Sequence, residues 1–129
     1  MSAVNGIGWF EIATDQPAVA ERFYGDVFGW TFGDDQGAAT GADGSAYRTI
    51  TPPGGGLKGG LFPTGGKLPN YAVFYVLVAD VDKSCSAAEA GGGKVLVAPQ
   101  RTPDGLTFAH LLDPSGNQFG IFTPPAGGE

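Results

Sequence analysis

Apolar and polar residues change period twice within the first 32 positions of the chain. Residues 7–13, IGWFEIA, read as a strand apolar on both faces except for one glutamate, Glu11. Thr14 or Asp15 is placed to cap a helix and Pro17 suits its first turn, after which Val19, Phe23 and Val27 recur every four residues until Gly29. The pattern predicts a helix over residues 17–28 whose apolar stripe packs on the sheet. Residues 30–32 open a second strand, residues 33–45 form a turn or loop rich in glycine and aspartate, and residues 46–51 form a third strand. Residues 57–63 are interrupted by glycine and are expected as a weak edge strand.

Residues 71–78 are apolar at successive positions, so this strand needs cover on both faces. Asp80 or Asp82 caps a helix that runs to about Ala90, three glycines end it, and KVLVAP, LTFAHLLD and NQFGIFTP supply three more strands. DPSGN, residues 113–117, has the chemistry of a tight hairpin turn. The order of elements repeats: Asp15 lies 65 positions before Asp80, and Trp30 lies 64 before Lys94. The expectation is a single domain over residues 1–129 made of two βαβββ modules, at about residues 5–64 and 70–125. Each module covers one sheet face with its helix and leaves the other free, which implies an α+β fold with an open, cup-shaped mixed sheet and a pocket.

Composition narrows the picture. With 129 residues, 42% hydrophobic and 16% charged, the chain suits one domain with a real core and is too apolar for disorder. No apolar run is long enough for a membrane helix. Seven basic against thirteen acidic residues give a net charge of −6 without a basic cluster, which argues against nucleic-acid and membrane partners. A lone cysteine, Cys85, and an opening MSAVNGIG without signal-peptide regions point to a cytoplasmic protein.

The segments FEIATDQPAVAERFYGDVFGW, LVADVDKSCSAAEAGGGKVL and FAHLLDPSGNQFGIF together resemble the vicinal oxygen chelate superfamily of glyoxalase I, bleomycin-resistance proteins and extradiol dioxygenases. The nearest likeness is to its small glyoxalase-like members carrying FYxxxFGW and DPxGNxFG. The resemblance implies a paired βαβββ fold, in agreement with the repeat. For the metal enzymes it implies a divalent ion that binds two adjacent substrate oxygens and is held by His, Gln and Glu from the first and last strands of the modules. Carried onto this chain, those positions hold Trp9, Gly60 or Leu61, one of Tyr71, Val73 and Tyr75, and Gly120. None is a good ligand for a divalent cation, so no metal and no other cofactor is expected.

Strand alternation puts Trp9, Glu11 and Ala13 on one face, and Phe10 and Ile12, natural partners of the helix stripe, on the other. Glu11 then points into the pocket, as a general base or as an anchor for a cationic or hydroxylated ligand; otherwise it is structural, held by backbone amides or by Arg48. His110, the only histidine, falls opposite Gly120 when the hairpin pairs about Ser115. Glu11 and His110 are the candidate catalytic pair, and Trp9, Glu11, Tyr47, Tyr75, His110 and Phe122 the candidate ligand-binding set.

GGGLKG, residues 54–59, spells a dinucleotide motif without the flanking strand and helix, and Cys85 lacks the basic setting of a reactive thiolate. Two functions stay open. One is a homodimeric, metal-free binding protein of the resistance or sequestration type that takes a small organic molecule in an aromatic-lined pocket. The other is a glyoxalase-like lyase, isomerase or dioxygenase using Glu11 and His110, with or without a divalent metal.

Overall fold

The computed structural model describes residues 4–34, 40–42 and 44–125. Parts of the opening MSAVNGIG and of the loop expected over residues 33–45 lie outside the described residues. The elements are β1 (Ile7–Thr14), α1 (Pro17–Phe28), β2 (Thr31–Asp34), β3 (Arg48–Thr51), β4 (Gly59–Pro63), β5 (Tyr71–Leu77), α2 (Val81–Ala90), β6 (Lys94–Arg101), β7 (Thr107–Leu112) and β8 (Gln118–Thr123). The architecture is α+β, with parallel and antiparallel strand pairs. By its contacts the chain divides into two compact units, Trp9–Ala72 and Met1–Gly8 with Val73–Glu129. Among the described residues no helix is long and apolar enough to cross a membrane.

In the first unit, Trp9–Ala72, the strands run in the order β2, β3, β4, β1. β4 is therefore not an edge strand: it pairs in parallel with β1 and antiparallel with β3, and Leu61 is fully buried. Its glycines are what allow this. A Cβ at Gly59 would stand 2.5 Å from the Phe10 carbonyl oxygen, so the missing side chain lets the two strands meet there.

The end of α1 follows expectation, with Gly29 left-handed at φ 74°. Its start and its packing do not. Gln16 is the N-cap and makes no side-chain capping bond; the Thr14 hydroxyl instead accepts the Gln16 N–H at 3.0 Å. The predicted stripe faces outward, with Val19 48%, Phe23 54% and Val27 55% exposed. Pro17, Ala20, Glu21, Tyr24 and Gly25 are the partly buried positions of the helix. Tyr24 stacks on Trp30 at 4.9 Å, and Trp30 packs on Phe10 at 5.5 Å. This aromatic group takes the space beside Phe10 that the stripe would have filled.

The second unit orders its strands β5, β8, β7, β6. The chain entering β1 pairs with the end of β5, the Asn5 N–H bonding to the Leu77 carbonyl and the Leu77 N–H to that of Gly6. Asp80 caps α2 by accepting the Lys83 N–H at 3.0 Å. Val81 and Cys85 from α2 pack with Val78, Ala109, Leu111 and Ile121 into the core. Burial, before the nearby Asp82 and Glu89, pushes the Cys85 thiol up, which suits an inert core residue. At the β7–β8 turn the Asp113 carboxylate accepts from the Asn117 side-chain amide and from the N–H groups of Asn117 and Ser115. Those bonds, the Asn117 side chain first, hold Asp113 below the usual carboxylate range.

Candidate functional site

The two units carry matching constellations. In the first, the register sets Glu11 of β1 beside Gly60 of β4, which lies beside Thr49 of β3. In the second, Tyr75 of β5 lies beside Gly120 of β8, which lies beside His110 of β7. Each central glycine is roofed by a tyrosine. A Cβ at Gly60 would stand 1.8 Å from the Tyr47 hydroxyl, and one at Gly120 would stand 2.4 Å from the Tyr75 ring.

Alternation along β1 puts Glu11 on the face away from Phe10, as the sequence predicts, and only 5% of it is exposed. Arg48 pairs with Leu61 and so shares the opposite face; it forms an ion pair with Glu21 of α1 at 3.4 Å. Glu11 is held by phenols. The Tyr47 hydroxyl donates to Glu11 Oε1 at 2.9 Å, the Tyr71 hydroxyl donates to Oε2, and the Trp9 indole N–H donates to the Tyr47 oxygen at 3.0 Å. Burial first, and then the Glu11 charge, raise both Tyr47 and Tyr71 well above the ordinary phenol value, so both stay protonated donors.

Removing one of these donors has a measurable cost. Tyr71→Phe is expected to destabilise the protein by about 2 kcal/mol, the range for a hydrogen bond to a charged group. Urea unfolding of this variant should show it, and a midpoint equal to that of the parent would mean that the Tyr71 bond contributes nothing.

On the α1 face, between α1, β1 and the start of β5, lies a groove of about 300 Å³ lined by Ile12, Ala13, Ala20, Tyr24, Asn70 and Tyr71, among others. Tyr71 belongs to both the groove and the carboxylate cluster. The sequence reading left it out of the site, although its alternation with Val73 and Tyr75 along β5 was the available signal.

In the second unit His110 is 4% exposed. Tyr75 Oη lies 2.6 Å from its Nε2 and the Gln118 amide nitrogen 3.0 Å from its Nδ1. With Gln118 donating to Nδ1, the ring proton sits on Nε2 and is given to the Tyr75 oxygen. Phe108 and Phe122 stand edge-on, at 6.3 Å from His110 and 6.2 Å from Tyr75 respectively. Burial lowers the His110 pKa to about 4, so the imidazole is neutral at pH 7. The predicted site residues therefore gather as Trp9, Glu11 and Tyr47 in one unit and Tyr75, His110 and Phe122 in the other.

Comparison with known proteins gives this architecture its class. The description "Glyoxalase/Bleomycin resistance protein/Dioxygenase superfamily" matches residues 6–121, and the chain belongs to that superfamily. It is similar to CFP32 of Mycobacterium tuberculosis (strain CDC 1551 / Oshkosh), 34% identical over 116 residues, covering 90% of this chain and 43% of CFP32. It is also similar to the anthracycline biosynthesis protein DauV of Streptomyces sp. (strain C5), 34% identical over 115 residues, 89% of this chain and 40% of DauV. The chain thus spans about two-fifths of the length of these relatives. Among solved structures, methylmalonyl-CoA epimerase from Mycobacterium tuberculosis shares the fold, with a TM-score of 0.61 at 17% identity over 96% of this chain and 93% of that one.

The positions that the resemblance assigns to divalent-metal ligands hold Trp9, Gly60 or Leu61, one of Tyr71, Val73 and Tyr75, and Gly120. Above both glycines the space where a ligating side chain would begin is taken by a tyrosine ring. Among the described residues no three of His, Cys, Asp or Glu stand together to hold a metal ion.

Proposed function

We propose that this chain is a small-molecule binding protein of the sequestration type, taking an aromatic or polycyclic ligand without a divalent metal and acting as a homodimer in the cytoplasm. The observation that carries the reading is the buried Glu11 carboxylate with one phenol on each oxygen. Two donors pin it as a fixed acceptor, which orients a ligand hydroxyl or amine; a carboxylate that must swing or shuttle protons gains nothing from such clamping. Trp9, Tyr47 and Tyr71 surround this acceptor with aromatic surface. The groove that shares Tyr71 with this cluster, at about 300 Å³, is at the lower limit of small-molecule sites and is mostly apolar. The relative named for anthracycline biosynthesis supports a polycyclic class.

The reading is tested by titrating the protein with doxorubicin, an anthracycline, in a calorimeter, and by native mass spectrometry after exposure to Zn, Ni, Mn and Fe(II) in turn. Saturable binding with chelator present, an unchanged ligand mass and no retained metal are expected. One tightly held metal per chain, or turnover of the methylglyoxal–glutathione adduct once metal is supplied, would overturn it. Absence of doxorubicin binding would remove the polycyclic class.

A further inference from the structure

The donors that clamp Glu11 are neutral. The Tyr47 hydroxyl donates to Oε1 at 2.9 Å, the Tyr71 hydroxyl donates to Oε2, and the Trp9 indole N–H supports the Tyr47 oxygen at 3.0 Å. These bonds satisfy polar atoms of a buried group without bringing it a positive charge. Burial and the Glu11 charge also keep both phenols protonated, so neither takes over the negative charge. Arg48 shares the opposite face and pairs with Glu21 at 3.4 Å. We propose that the group this site selects is a protonated amine, so that the ligand is an organic cation; the inference rests on the binding role proposed above and names the ligand class of the same site.

Three features favour an ammonium over a hydroxyl at this position. A hydroxyl brings Glu11 another neutral donor, whereas an ammonium brings the opposite charge, and that attraction is strongest where water is excluded. Trp9, Tyr47 and Tyr71 stand around the carboxylate, and tryptophan and tyrosine rings attract a cation through their π-electrons, tryptophan most strongly. The chain as a whole carries a net charge of −6, which draws cations rather than anions on approach. The phenol clamp thus fixes where the charge sits, and the charge decides which ligands are accepted.

Two probes that differ at this one group test the assignment: doxorubicin, which carries an amine on its sugar, and its analogue with a hydroxyl in place of that amine. Both are titrated by calorimetry in about 0.15 M salt, where exposed charges more than ~8 Å apart are largely screened. The parent should bind doxorubicin at least about tenfold more tightly than the hydroxyl analogue. Glu11→Gln keeps the size of the side chain and removes its charge, so it should erase that preference while retaining the parent's circular dichroism. Equal affinities for the parent would overturn the ammonium assignment and leave the binding role standing, a comparison that does not depend on the variant's folding. A preference that survives in folded Glu11→Gln would overturn the role of Glu11 in selecting the cation. If neither probe bound, the polycyclic class would fall and this inference with it.

Discussion

Gly120→Ala is expected to lower stability by about 3 kcal/mol, the upper range for overpacking a filled site, and the thermal midpoint by roughly 10 °C. The added methyl carbon would stand 2.4 Å from the Tyr75 ring, inside van der Waals contact. Tyr75 has little room to withdraw, being 5% exposed, bonded to His110 and edge-on to Phe122. Removing the ring should relieve the clash. In a thermal-unfolding cycle, Gly120→Ala placed on Tyr75→Ala should cost at least 1 kcal/mol less than on the parent, within the usual coupling range for touching residues. Equal costs on both backgrounds would show that the ring does not set the requirement for glycine.

The second large effect is acid sensitivity. Folded His110 titrates at about 4, against 6.5 for an unperturbed imidazole. Between those values the unfolded chain takes up a proton that the folded chain refuses, so stability falls as the pH falls. The slope approaches about 1.4 kcal/mol per pH unit, and the total by pH 4 is about 3 kcal/mol. Above pH 7 this contribution vanishes, because the imidazole is neutral in both states. Urea midpoints from pH 7 to pH 4 should decline steeply for the parent and less so for His110→Gln, which has no imidazole to titrate. Proton NMR gives a direct check, since one histidine yields one imidazole titration. A midpoint near 6.5 in the folded protein would sink the prediction.

The same neutrality limits chemistry at this position. A buried imidazole already engaged at both nitrogens is a better positioning group for Tyr75 than a general base. The matching glycines make a related point about the superfamily's metal centre. Where a ligating side chain would begin, this chain has glycine and places a tyrosine above it, so restoring a carboxylate at residue 60 or 120 would also require moving Tyr47 or Tyr75.

Much of the fold was legible because it is local. Helix and strand periods, the cap at Asp80, the left-handed Gly29 and the DPSGN turn are set by residues within one or two turns of each other. Alternation alone placed Glu11 with Trp9, and turn symmetry alone placed His110 opposite Gly120. The glycine-rich β4 was expected at an edge because glycine weakens an isolated strand. It lies between two neighbours because the same missing side chains admit Phe10 and Tyr47.

By itself, then, the sequence determined the elements, their repeated order and the face each strand residue occupies, since these follow from backbone period and turn chemistry. Tertiary structure alone decided which partners meet on those faces. Tyr47 and Tyr71 reach Glu11 from 36 and 60 residues away, and no local pattern distinguishes them from Tyr24, which turns instead to Trp30. The orientation of α1 was decided the same way. A stripe at four-residue spacing states that a helix has an apolar side, but the volume between helix and sheet, taken here by Tyr24, Trp30 and Phe10, selects the side that faces inward.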